Sequence, residues 1–592
     1  MGKYKWKYPV IDIFRIGLAA APGCLLMICL YTIVSAFVPT LQILYVAEFI
    51  DHVIRLADGA QSFSDVLFSA AIVASCLAFQ WIGRTLLRLV WIRFENRLRM
   101  TFAVDMIEKR AKLEYEYIEN SETWDLLKRV SDQPEVKIRE FFETMIQFSC
   151  LLFRIAGIVL VLTAYLWWEG ILLAVISVPL IRLSLKSGKA TYEAKQEVTE
   201  CDRRCEYLTD VILGRDAAQE RTLFGFGEFL DRKWEEQYDL SADMTLKAYR
   251  TWYARLEMGS IFTAITLAIA IIALLLPTVK GILTVGMFMS LTGSCISLIE
   301  SMSWEFREYI DNLTELVHYI AEVKDVALLR ERPDAINEKN VQPLFDSIEF
   351  ADVSFSYPNS EKKVLDHISF KMEAGVHYAI VGKNGEGKST IIKLLSGLYS
   401  DYSGKILING RELREYGFAD LKGMFSIVYQ DFGRYAVSMK DNLKLADTGI
   451  SEENIRKILQ RFDLENAAGK LSDGIDTPLG RIQSSGMDLS GGEWQRLALA
   501  RACANNAPVY LLDEPAAALD PISESQVYQN FQKAGEHKTT ILISHRLGSV
   551  KLADQILVLG HGKIVESGSH EKLMKNRRLY YEMYESQRSW YQ

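Results

Sequence analysis

The chain has 592 residues, of which 49% are hydrophobic and 24% charged, with a formal net charge of −8. That length exceeds a single domain, and the acidic balance without a long basic run argues against nucleic-acid binding. A mean hydropathy of +0.05 hides a sharp division: long apolar runs fill residues 1–300, and the rest reads as a soluble α/β domain. Lys3, Lys5, Lys7 and Arg15 precede the first run. Six candidate spans follow, about 22–50, 65–92, 143–168, 171–190, 258–278 and 282–300. Each reaches the roughly 20 residues that cross a bilayer. Because the first run continues past any usual signal length, it reads as an uncleaved span. With only a short segment ahead of it, no N-terminal peptidase domain is expected. Two connections are long, about 93–142 and 191–257. Three are short: about 51–64, Glu169-Gly170 and Val279-Lys280-Gly281. Arg93 to Lys112 and Lys189 to Glu236 mix charged and apolar residues without proline, which predicts helices continuing beyond the bilayer.

Further along, Tyr378-Ala379-Ile380-Val381 runs into Gly382-Lys383-Asn384-Gly385-Glu386-Gly387-Lys388-Ser389 and then Thr390-Ile391-Ile392-Lys393-Leu394-Leu395. This strand, glycine loop and helix make the context of a phosphate loop. Glycines let the backbone wrap so that N–H groups face phosphate oxygens. The helix N-terminus adds partial positive charge. Lys388 adds a full one, and Ser389 offers a hydroxyl to Mg²⁺. Downstream, Val509-Tyr510-Leu511-Leu512 ends in Asp513-Glu514. A buried strand carries Asp513 toward the metal and phosphates. Glu514, one residue on, is placed to polarise an attacking water. A kinase or generic NTPase remains open on these two motifs alone.

Between them lies Leu489-Ser490-Gly491-Gly492-Glu493-Trp494-Gln495-Arg496. Here the chain resembles the ATP-binding cassette (ABC) family, whose signature reads LSGGQ. The resemblance covers about residues 345–592 and implies further roles in order. Tyr357 matches the aromatic that stacks on adenine, and Gln430 the loop glutamine that senses Mg²⁺ and water. Asp520 matches the D-loop, and His545 the switch histidine on the γ-phosphate. ATP is then cradled by Gly382, Asn384, Gly385, Gly387, Lys388, Ser389 and Thr390. Ser490, Gly491 and Gly492 face a nucleotide on a second cassette, and Ser389, Gln430 and Asp513 hold Mg²⁺. Glu514, His545, Gln430 and Lys388 are the candidate catalytic set. The chain departs from the family at Glu493, at Ala516 and over residues 480–486, none of which is catalytic.

Joined, the halves resemble a half-transporter of the ABC exporter (type IV) fold. That implies an α-helical six-span membrane domain with long cytosolic helix extensions over 1–340, then an α/β P-loop cassette over 341–592. It also implies an integral protein of the bacterial plasma membrane with the cassette and both termini cytosolic. Basic residues before the first span agree with this orientation. Tyr117 to Trp124 and Leu223 to Phe229 resemble coupling helices. The expected activity is ATP-driven export of a lipophilic, drug-like or peptide substrate by a homodimer or heterodimer. Import of a siderophore-like compound is the alternative. Arg84, Arg154, Glu257 and Glu300 fall in or near the spans, where charges line a cavity or pair with each other. Eight cysteines are scattered; Cys201 and Cys205 sit one helical turn apart without a second ligand pair, so all are read as free thiols.

Overall fold

The computed structural model describes residues 9–165, 198, 201–215, 217–332, 334–339, 344–358, 360–480, 482, 486–515, 526, 529 and 538–589. The chain forms two units, one of residues 1–110 and 125–329, the other of residues 111–124 and 330–592.

Helices build the first unit. Pro9–Ala20 is followed by Pro22–Ala57. A turn over residues 58–62 with Gly59 at φ +72° leads to Ser62, whose hydroxyl caps Phe63–Leu98 by accepting from Ser64 N. The connection expected over about 51–64 is therefore shorter: Asp51, His52 and Arg55 extend the helix beyond its apolar run. Phe63–Leu98 passes through a π-helical turn at Arg99–Ala103 into Val104–Lys112, 50 residues in all. That is about 75 Å, over twice the ~30 Å hydrocarbon layer, so the helix must continue into water. Pro134–Tyr165 is the third helix long and apolar enough to span, among the described residues. Gly227–Val279 and Val285–Glu300 carry shorter apolar stretches, Leu267–Val279 and Val285–Leu298. The expected span at 171–190 lies outside the described residues. The extension read over Lys189 to Glu236 is not one helix; among the described residues it breaks at Gly214 and again at Gly225 and Phe226.

Packing between these helices follows membrane rules, where small residues allow close approach and polar groups bridge neighbours. A Cβ on Gly286 would sit 2.1 Å from Ala47 O, and Gly286 N donates to Asp51 Oδ1 at 2.8 Å. Ser290 donates to the carbonyl of Ile43. Ile43, Ile158, Leu162, Leu274, Leu291, Cys295 and Leu298 fill the space around this seam. Arg154 donates to Ser301 Oγ at 2.8 Å and pairs with Glu305. Of the two expectations for Arg154, the ion pair is the one observed. Arg84 and Glu300 are exposed in the single chain, and the surroundings of Glu257 lie outside what is described.

The second unit is α/β. Its strands are β1 Ser347–Ser356, β2 Lys363–Glu373, β3 His377–Gly382, β4 Ser403–Ile408, β5 Arg411–Glu412, β6 Phe425–Val428, β7 Val509–Asp513, β8 Thr539–Ile543, β9 Gln555–Gly560 and β10 Lys563–Gly568. An antiparallel sheet runs β2-β1-β4-β5; a mostly parallel sheet runs β10-β9-β3-β8-β7-β6. β3 and β7 are buried along nearly their whole length, as expected of parallel strands covered on both faces. Ile380, Ile391, Ile541, Ile543 and Leu557 form the core that clamps the helix Lys388–Leu395 onto the sheet. Residues 111–124, which contain the whole of the first expected coupling helix, Tyr117 to Trp124, belong to this unit.

Candidate nucleotide site

Four neighbouring parallel strands, β3, β8, β7 and β6, end on one edge of the sheet. Ligands of open α/β sheets bind beyond such carboxyl ends. The loop after β3 carries the phosphate-loop motif, His545 lies two residues past β8, Glu514 directly follows β7, and Gln430 lies two residues past β6. Sequence-distant groups therefore converge because their strands are adjacent.

The loop itself depends on glycine at two points. Gly385 has φ +81° and Gly387 φ +97°, a region where a side chain is strained. A Cβ on Gly387 would also meet Leu365 Cδ2 at 2.8 Å. Lys388 is 6% exposed and donates to the carbonyls of Gly382 and Lys383, both at 2.9 Å. Burial pulls its ammonium pKa down, against the raising pull of Glu514, Asp513 and Glu386. Asp513 is 4% exposed. Burial pushes its carboxyl pKa up, helped by the Glu514 charge; the Ser389 hydroxyl and Lys388 oppose this. Its Oδ1 has no hydrogen-bond partner among the described residues. A buried, partnerless carboxylate oxygen is costly unless something else binds it.

Glu514 holds a left-handed backbone, φ +45°, and its N–H donates to Ile543 O at 2.9 Å. That bond extends the β7–β8 ladder and aims the side chain across to the next strand end. There Glu514 Oε2 lies 3.1 Å from His545 Nδ1. The pair brings a carboxylate and an imidazole to one point beside Asp513 and Lys388, an arrangement suited to orienting water and a phosphate oxygen. Gln587 donates to the His545 carbonyl; nothing in the sequence marked that glutamine.

Tyr357 follows β1. Its hydroxyl is 2.9 Å from Thr390 Oγ1, so the aromatic and the phosphate-loop helix are tied together. Asn384 and Gln430 are exposed. Ser490 caps Gly491–Ala504 in a reciprocal capping box: its Oγ accepts from Glu493 N, and Glu493 Oε2 accepts from Ser490 N at 2.8 Å. The departure from glutamine thus leaves the cap intact, since either residue serves at this position. Asp520 lies outside the described residues.

The ABC transporter family model matches residues 365–517. The subtilin transport ATP-binding protein SpaT of Bacillus subtilis is 29% identical over 84% of this chain and 81% of its own length. The chain belongs to the ABC transporters. The nisin transport ATP-binding protein NisT of Lactococcus lactis subsp. lactis is 24% identical to this transporter, covering 94% of it and 92% of NisT. An ATP-dependent lipid A-core flippase of Xylella fastidiosa (strain Temecula1) is 27% identical over 84% of this chain and 83% of the flippase. A bacterial Atm1-family ABC exporter with ATP bound has the same fold, at TM-score 0.75 and 23% identity, over 96% of this chain and 98% of that one. The transporter is an exporter-type half-transporter, a membrane-spanning helical domain fused to an ATPase cassette, and it couples ATP hydrolysis to transport.

Proposed function

We propose that this transporter exports a peptide across the bacterial plasma membrane, working as a dimer with cassettes and termini in the cytosol. The observation carrying the substrate class is that SpaT and NisT, matched over most of their length, transport subtilin and nisin. A lipid-like amphiphile is the second reading, supported by the lipid A-core flippase match. These relatives do not favour the importer reading. We assign residues 1–340 to the membrane domain and 341–592 to the cassette.

In the proposed cycle Tyr357 stacks on adenine, and Gly382, Asn384, Gly385, Gly387 and Thr390 shape the phosphate cradle. Lys388 leaves its two loop carbonyls for phosphate oxygens. Ser490, Gly491 and Gly492 cover the nucleotide of a partner cassette, alongside Asp520. The second cassette is a copy of this chain or a related half-transporter. Mg²⁺ fits beside Ser389, Asp513 and Gln430: the partnerless Asp513 Oδ1 is an oxygen in need of a cation. Mg²⁺ characteristically takes one or two protein carboxylates together with phosphates. Held by Ser389, Asp513 and Gln430, a bound Mg²⁺ would supply positive charge to the phosphates. Glu514 orients the attacking water as general base. His545, held beside it, donates to the γ-phosphate. ATP binding closes the cassettes and switches the membrane cavity; hydrolysis resets it.

The test is full-length protein in lipid nanodiscs and in inside-out vesicles. Glu514→Gln is expected to lose about 100-fold or more in ATP turnover while retaining ATP, trapped as a closed dimer. A candidate peptide is expected to accumulate inside the vesicles with ATP and to stimulate turnover. Undiminished turnover in Glu514→Gln removes the base assignment, and ATP-driven loss from preloaded vesicles reverses the direction.

A further inference from the structure

Lys393 lies on the phosphate-loop helix, one turn beyond Ser389. Its ammonium sits 5.1 Å from the centroid of the Tyr357 ring, 5.8 Å from that of Tyr115 and 6.0 Å from that of Tyr399. It also donates to Glu119 Oε1 at 2.8 Å, across 274 residues of sequence. The rings brace one another edge to face: Tyr115 on Tyr399 at 5.8 Å, Tyr399 on Tyr357 at 5.5 Å, and Phe355 on Tyr357 at 5.1 Å. With its hydroxyl on Thr390, Tyr357 is restrained at its edge, its face and its tip.

A cation over aromatic faces is attracted by their quadrupoles, more so when partly desolvated. Lys393 is 21% exposed along its side chain. Burial pulls its pKa down, but the Glu119 bond and the tyrosines beside it outweigh this and raise it above the usual value. The charge is therefore kept. Two members of the cluster, Tyr115 and Glu119, come from the segment 111–124, far upstream of the cassette in sequence.

We propose that Lys393 is a positioning residue for adenine recognition, holding the Tyr357 ring in its stacking pose only while Glu119 holds Lys393. Base affinity then depends on the 111–124 segment being seated on the cassette. This rests on the reading that Tyr357 stacks on adenine.

The test uses full-length transporter in nanodiscs and measures KM and kcat for ATP, with inhibition by inorganic tripolyphosphate as a ligand lacking the base. Lys393→Gln and Glu119→Gln are expected to raise KM for ATP about threefold to tenfold. In both, kcat and tripolyphosphate inhibition should hold. Lys393→Arg should restore the wild-type KM, and Lys393→Gln should add nothing to Tyr357→Ala. If Tyr357→Ala raises KM but Lys393→Gln and Glu119→Gln do not, the positioning role falls and the stacking role stands. A matching loss of tripolyphosphate inhibition in Lys393→Gln also overturns it, because the effect would then lie in the phosphate loop. If Tyr357→Ala leaves KM unchanged, the stacking reading itself fails and takes the proposal with it.

Discussion

The two units solve the same problem, burying polar backbone, in opposite ways. In the helical unit each helix satisfies its own backbone, and side-chain polarity is spent on a few bridges such as Gly286 to Asp51 and Arg154 to Glu305. In the cassette, backbone bonds run between strands, and the strand ends gather charged side chains at one edge. The helical unit therefore tolerates little change where helices touch. The cassette holds destabilising groups, a left-handed Glu514 and a partnerless Asp513 oxygen, at the edge where we propose its chemistry occurs. On the proposed mechanism, function is concentrated in one unit's least comfortable residues and spread through the other's contacts.

Gly286→Val is the hardest blow to this contrast. Its new Cβ meets backbone at 2.1 Å, and overpacking of this kind costs about 1–3 kcal/mol. Transport should be lost while a fluorescent ATP analogue still binds the cassette; loss of both together would show that the units do not behave separately. Asp513→Asn is a sharper probe. A raised carboxyl pKa in the folded state means that its contribution is present below the unfolded pKa and is lost as pH rises through the folded value. At pH 7.5 the ionised Asp513 therefore weakens the metal-free cassette. The variant should melt higher than wild type without ligand at pH 7.5, and the gap should narrow toward pH 4. It should also lose the extra stabilisation given by Mg-ATP; an apo melting point below wild type would contradict this. Cys503 gives the smallest effect. Burial pushes its thiol up to about 12, so a maleimide at pH 7.5 should leave it unlabelled in the native state and label it once the cassette is unfolded.

The cassette was largely legible in the sequence because its candidate site residues sit in short, contiguous motifs at strand ends. Lys388, Asp513, Glu514 and His545 each follow or close an apolar run, and adjacent parallel strands then bring them together. The helical unit was legible only where apolarity and helix coincide. Asp51, His52 and Arg55 carry their helix past its apolar run, so its end was placed too early. Gly214 and Gly225 break a stretch whose charge pattern alone reads as continuous helix. Partners far apart in sequence were not legible at all: Arg154 finds Glu305 151 residues on, and Lys393 finds Glu119 274 residues back. No local pattern encodes such pairs, because each half is an ordinary charged residue on a helix.

The left-handed backbone at Glu514 has a consequence for how this site can drift over generations. A residue with a side chain held there costs on the order of 1–3 kcal/mol, and glycine would remove that cost. Random mutation combined with selection for stability alone would thus pull the position toward glycine and, on the proposed role of Glu514, silence the ATPase. A glycine at this point in a paired half-transporter would mark a chain that has kept its architecture and handed hydrolysis to its partner.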